Sequence, residues 1–332
     1  MSSLEKKRIL LLAPIGQYSE AIKTSLEAMG AITDCFEERP SLTFLVKFFI
    51  RYFPNMIFRF TQNYFDKIVN ITKLNNYDVI FMIRAEAITK KFICDLKGYH
   101  KNAKVILYQW DSMSHTKGPV DKLTLFDYVF SFDKRDCEKY SLIFLPLFYK
   151  EEYKDLANIK TKMNIDFLFI GTIHSDRYLF IKRIEEYALK KGLKVYLYLY
   201  MTSKLGFYKM KFIDKCLENA SIDEFNFLQL NKKMVLEAVS NCRIIIDAEH
   251  PSQLGLTMRT IESLGAKRKL ITTNKDIVNY DFYKPNNILV VDRKNIEIPD
   301  SFIKTEYLEL DDKIYSKYSL QNWIITIFEK VS

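Results

Sequence analysis

The sequence predicts an α/β protein built of two successive parallel-sheet domains. Three observations carry this. Short apolar runs alternate with segments of helical periodicity along almost the whole chain. The alternation breaks near mid-chain, over a stretch between positions 149 and 163 rich in Lys, Glu, Asp and Asn, and then restarts. The length of 332 residues suits two domains of roughly 150 residues each.

The elements follow in order. Residues 9–13 are an apolar run, too short for a signal peptide core and closed by Gly16-Gln17 without a small-residue cleavage site. A helical pattern covers 18–29, and a second strand is expected near 31–36. Residues 78–83 are a buried-strand pattern, followed by a helix from about 88 to 96. Residues 104–109 and 128–132 repeat the strand pattern, a helix begins near Asp133, and 142–147 closes the first set. Residues 149–163 have no long apolar run and are expected to be an interdomain linker. In the second half, strands are expected at 166–170, 194–200, 243–247, 269–273 and 287–291. Helices are expected at 176–191, 234–240, 258–264 and 320–331. The expected domains are therefore 1–148 and 164–315, with 316–332 as a final helix that returns to the first domain. Two Rossmann-like sheets of this kind face each other across a cleft.

Composition bounds the function. Hydrophobic residues make up 48% and charged residues 27%, ordinary globular usage that argues against a disordered or low-complexity chain. Fifty Lys and Arg against 41 Asp and Glu give a formal charge of +9, which favours anionic partners such as nucleotide phosphates or lipid headgroups. No nucleic-acid motif accompanies that charge, so nucleic acid is not an expected partner. The five cysteines are scattered and form no CxxC pair, which excludes a disulfide framework or zinc motif and points to a cytoplasmic protein. No apolar run approaches the ~18 residues of a membrane span.

In open parallel sheets, ligands bind beyond the C-terminal ends of the strands. That rule selects Pro14-Ile15-Gly16, Arg84-Ala85-Glu86, Trp110-Asp111-Ser112 and Asp133-Lys134-Arg135 in the first half. In the second half it selects residues 171–177 and 250–257. Gly171 and Thr172 precede a helix whose free N–H groups suit an anion, with His174, Ser175 and Arg177 as further donors. His250, followed by Pro251 and preceded by Asp247 and Glu249, is expected to line the site.

Residues 247–274 carry a resemblance. Gly255-Leu256, then Glu262-Ser263-Leu264-Gly265-Ala266, then Leu270-Ile271-Thr272-Thr273, resemble the donor-binding region of GT-B glycosyltransferases. Residues 167–172 with Arg177 also resemble bacterial surface-polysaccharide glycosyltransferases, including the CgeB-like group. The resemblance implies a GT-B-like fold, a nucleotide-sugar donor and a glutamate, Glu262, on the ribose. Strand-end position, charge and the resemblance together give the candidate donor set Gly171, Thr172, His174, Arg177, Gln253, Gly255, Thr257, Arg259 and Glu262. The position eight residues before Glu262 holds Leu254, where retaining members often carry a second glutamate, so retaining and inverting chemistry both stay open. With no metal motif in the sequence, the expectation is metal-independent transfer without a cofactor, in which cations and helix N-termini stabilise the departing diphosphate. Glu86 and Asp111 are the candidates for the acceptor's base, with Arg84 holding Glu86 ionised, and His250 is a third catalytic candidate.

The run from Phe44 to Phe60 is strongly aromatic and interrupted by Lys47, Arg51 and Arg59. Residues 204–213 are similar in character. Both suit contact with an anionic membrane, and with it a glycan or glycolipid acceptor of lipopolysaccharide or capsule synthesis. Packing of the same helices on the sheets, with lysines snorkelling, is the competing reading. A sugar-nucleotide epimerase and a non-catalytic binding protein of the same architecture are the rival functions.

Overall fold

A computed structural model describes residues 4–114, 118–159, 163–213, 215–251 and 254–331. The chain divides into two compact units, residues 1–146 with 320–332, and residues 147–319. Each is an α/β unit around one parallel sheet.

The first unit holds six strands: β1 (Arg8–Ala13), β2 (Ile32–Glu37), β3 (Val79–Ile83), β4 (Lys104–Gln109), β5 (Tyr128–Ser131) and β6 (Ile143–Phe144). They are arranged β2-β1-β3-β4-β5-β6. All five residues of β3 are buried, as expected for a strand covered on both faces. Leu10, Leu12, Ile80 and Met82 pack with Phe65 and Phe92 from the covering helices. The helix Leu320–Val331 belongs to this unit, and Trp323 stands edge-on to Tyr108 of β4 with ring centroids 4.6 Å apart.

The second unit holds β7 (Ile165–Thr172), β8 (Val195–Tyr200), β9 (Cys242–Asp247), β10 (Lys269–Thr272) and β11 (Ile288–Val290), ordered β11-β10-β9-β7-β8. Its core is aromatic and β-branched, with Phe167, Phe169, Phe180, Ile244 and Ile271 together. The stretch 149–163 is not a bare linker, as its polarity suggested. It contains the helix Glu151–Ala157, which buries Tyr153 and Leu156 and packs on the helices Met258–Gly265 and Lys232–Ser240. A short helix needs only two buried side chains to dock, and these do not show as an apolar run.

In each sheet the strand order reverses once: between β1 and β3 in the first, and between β7 and β9 in the second. Loops leaving adjacent strands at such a point diverge to opposite faces and open a crevice at the strand ends.

Candidate functional site

At the reversal in the second sheet, Asp247 ends β9 and is fully buried. Arg259 donates to its Oδ1 at 2.7 Å, and Thr257 and Thr260 donate to its Oδ2 at 2.6 and 2.9 Å. Burial pushes the Asp247 carboxyl upward, but Arg259, the Thr257 hydroxyl, Arg177 and Thr260 outweigh it and hold it below the ordinary value. Thr257 also caps the helix Met258–Gly265 by accepting from the Thr260 N–H at 3.2 Å. One hydroxyl thus starts the helix and ties it to the strand end.

Arg259 reaches past Asp247 to the Ile170 carbonyl at 2.5 Å and lies over the Phe169 ring, 4.9 Å from its centroid. It occupies the space beside Gly171, where a Cβ would stand 2.3 Å from its Nη2. The lack of a side chain at Gly171 therefore makes room for a guanidinium. Arg177 is buried and donates to the carbonyls of Ala248, at 2.8 Å from Nε, and Thr172, at 2.7 Å from Nη1. Its charge is part of the site, but its donors join the β7 and β9 loops; burial and Arg259 push its pKa down to about 10.

His174 and His250 lie with ring centroids 5.5 Å apart. Burial, then the charges of Arg177, His250, Arg259 and Arg293, push His174 down to about 3, so it is neutral at pH 7 and offers hydrogen bonds without charge. Arg293, just beyond β11, donates to Asp176 at 2.7 Å and to the Glu249 backbone carbonyl and carboxylate at 2.6 and 3.1 Å. Glu249 also accepts from Thr273 at 2.6 Å. Sequence reasoning missed Arg293, although it lies just past a strand end, and it placed Thr273 in the donor-region resemblance without a partner. Gly255 is buried in the turn before the helix, held where Asn274 donates to the Leu254 carbonyl at 2.9 Å. Glu262, one turn beyond Arg259, shares a hydrogen bond with the buried Tyr153 hydroxyl, whose pKa is raised by burial and by Glu262. Thr172 is exposed at the end of β7. Gln253 falls outside the described residues.

The reversal in the first sheet gathers a second cluster. Arg84 and Ala85, just past β3, have φ of 75° and 50°, a left-handed conformation costly for non-glycine residues. The turn presents Glu86, which is buried and accepts from Arg51 at 2.9 Å, Arg84 at 2.8 Å and Arg39 at 3.4 Å. Burial raises its pKa, but Arg84, Arg51 and Arg39 prevail and hold it below the ordinary value. Arg84 also pairs with the more open Asp111 at 3.0 Å. Glu38, wholly buried, accepts from Arg39 at 2.7 Å, and burial keeps its pKa raised. Lys122 fixes the turn from beneath by donating to the carbonyls of Ala85 and Ile88 at 2.9 and 2.6 Å. Sequence reasoning passed over Glu38 and Arg39 at the end of β2. It also placed Arg51 with the membrane-facing residues, whereas its guanidinium is engaged with Glu86.

No protein-family model matches the chain, and no curated protein matches it either. Solved structures do. A glycosyltransferase from Rickettsia africae ESF-5 superposes with a TM-score of 0.59 at 13% identity, over 98% of this chain and 97% of that one. Anabaena HepE in complex with UDP and glucose gives 0.56 at 12% identity, over 97% and 98%. The UDP-GlcNAc 2-epimerase of Methanocaldococcus jannaschii gives 0.53 at 10% identity, over 98% and 99%. At these identities the likeness establishes the fold: two parallel-sheet α/β domains of the GT-B type.

Proposed function

We propose that the protein is a glycosyltransferase that moves a sugar from a nucleotide sugar to a surface-glycan acceptor. The observation that carries this is the cluster at the β7/β9 reversal, where Arg177, Arg259 and Arg293 converge beside two histidines and a capped helix N-terminus. Transfer forms a bond from an acceptor oxygen to the anomeric carbon and breaks the bond to the diphosphate, which leaves with the electron pair. Fixed cations and N–H groups stabilise that charge without reorganising, so no metal is required in this reading. Arg259 and the N–H groups of Met258 and Arg259 are assigned to the diphosphate, Glu262 to the ribose hydroxyls, and His174 and His250 to neutral hydrogen bonds. The acceptor proton goes to Asp111. Glu86, clamped by three arginines, is assigned to holding Arg84 in place. Lipopolysaccharide or capsule glycans, carried on a lipid, are the proposed acceptors, supported by the resemblance of residues 167–177 and 247–274.

A panel of UDP-, GDP-, CMP- and dTDP-sugars tests this by thermal shift. A ligand at a hundred times its dissociation constant stabilises the fold by roughly 2.7 kcal/mol. The stabilising donor is then incubated with and without extracted glycolipid. Acceptor-dependent release of nucleoside diphosphate is expected. The UDP-GlcNAc 2-epimerase likeness supplies the rival: conversion of the donor sugar with no acceptor present would select it. Stabilisation by none of the donors would end the nucleotide-sugar reading.

A further inference from the structure

The second notable feature of the first unit lies outside its charged cluster. The helix Phe44–Tyr52 and the turn that follows it bury Ile50 but turn their aromatic and aliphatic side chains outward. Phe44 is 78% exposed and Met56 72%, and Leu45, Tyr52 and Phe60 are each more than half exposed. Phe48 sits at the centre of a ring cluster, 5.1 Å from Tyr52 and 5.8 Å from Phe53 between centroids. So much contiguous apolar surface is rare unless something covers it. Its electrostatics say what. Between Glu38 and Asp66 the chain has no acidic residue, while Lys47 and Arg59 stand exposed among the rings. Arg51 is drawn off to Glu86 and leaves two cations for the surface. Among the described residues no helix is long and apolar enough to cross a membrane. An apolar face bordered only by cations fits the boundary between headgroups and acyl chains of an anionic bilayer.

We propose that residues 44–60 dock the protein on an anionic lipid surface, with Phe44, Leu45 and Met56 entering the acyl boundary and Lys47 and Arg59 meeting phosphate headgroups. This stands independently of the proposed reaction, since lipid binding is read without donor or acceptor. Flotation of the full chain tests it with phosphatidylglycerol vesicles and with phosphatidylcholine vesicles. The protein should float with the first at low salt and stay in the soluble fraction with the second. Lys47→Gln and Arg59→Gln should each weaken partitioning about fivefold. Phe44→Ser with Leu45→Ser and Met56→Ser should abolish it while circular dichroism and melting temperature hold; Met56→Ser alone serves if the triple variant does not fold. Wild-type protein that stays soluble with both lipids, or a triple variant that floats as the wild type does, would overturn the proposal. So would a dimer in sedimentation velocity that the triple variant loses, because the face would then belong to a second copy.

Discussion

At Gly171 one methyl group decides where a guanidinium can rest. A Cβ there meets Arg259 Nη2 at 2.3 Å and Phe169 at 3.2 Å, so Gly171→Ala displaces the end of a flexible side chain rather than the backbone. The expected result is a fold that persists but melts lower, because the guanidinium also leaves buried Asp247, with nucleotide affinity weakened by about tenfold or more, the loss of a charge-assisted bond. Titration calorimetry measures it, and unchanged affinity would take Arg259 out of the donor site. Asp247→Asn removes one partner of a buried pair and should cost about 3–5 kcal/mol in urea unfolding. Because the folded carboxyl lies below its ordinary value of 3.8, its contribution is present above that pH and is lost as pH falls through the lower folded value. The wild type should therefore lose its advantage over Asp247→Asn in acid. Glu262→Ala should weaken nucleotide binding by roughly 1.5–3 kcal/mol if the carboxylate takes the ribose hydroxyls, and competition binding reads it.

Elements set those side chains in place, and here the sequence was legible where it was periodic. β4 spans residues 104–109 as its buried-strand pattern indicates, and the helix Leu320–Val331 matches its pattern from end to end. Arg84, Glu86 and Asp111 were found by following strand ends, and the structure brings them together. Arg293 and Arg51 were not legible in their roles. Arg293 stands in a polar stretch that looks like any loop, and its partner Glu249 lies 44 positions away. Arg51 shares its helix with seven aromatic or aliphatic neighbours, so local pattern sends it outward while its partner Glu86 lies 35 positions on. Long-range ion pairs leave no local periodicity. The turn after β3 gives a test at this scale. Burial depresses Lys122 from 10.5 to about 8, so the unfolded chain binds the extra proton between those values and stability should rise with pH across that window. Lys122→Met should remove this rise, seen as the difference between wild-type and variant unfolding curves from pH 8 to 10.5. It should also cost about 1–3 kcal/mol at pH 7 by leaving the carbonyls of Ala85 and Ile88 unpaired.

For the whole molecule, two parallel sheets with opposite-facing covers place most contacts between residues distant in sequence, a slow topology to fold. The first unit is the extreme case, because its core includes Trp323, packed on Tyr108 and Phe81 more than 200 positions earlier. Trp323→Ala should cost roughly 3–5 kcal/mol. Hydrogen exchange should show that loss in β1, β3 and β4 and leave β7 and β9 protected. An emerging chain has a further problem. The second unit, being continuous from 147 to 319, can close as soon as it clears the ribosome, while the earlier-made first unit must wait for residues 320–331. Until then Phe81 and Tyr108 lack the Trp323 ring that packs on them. The expected order of folding is therefore the reverse of the order of synthesis.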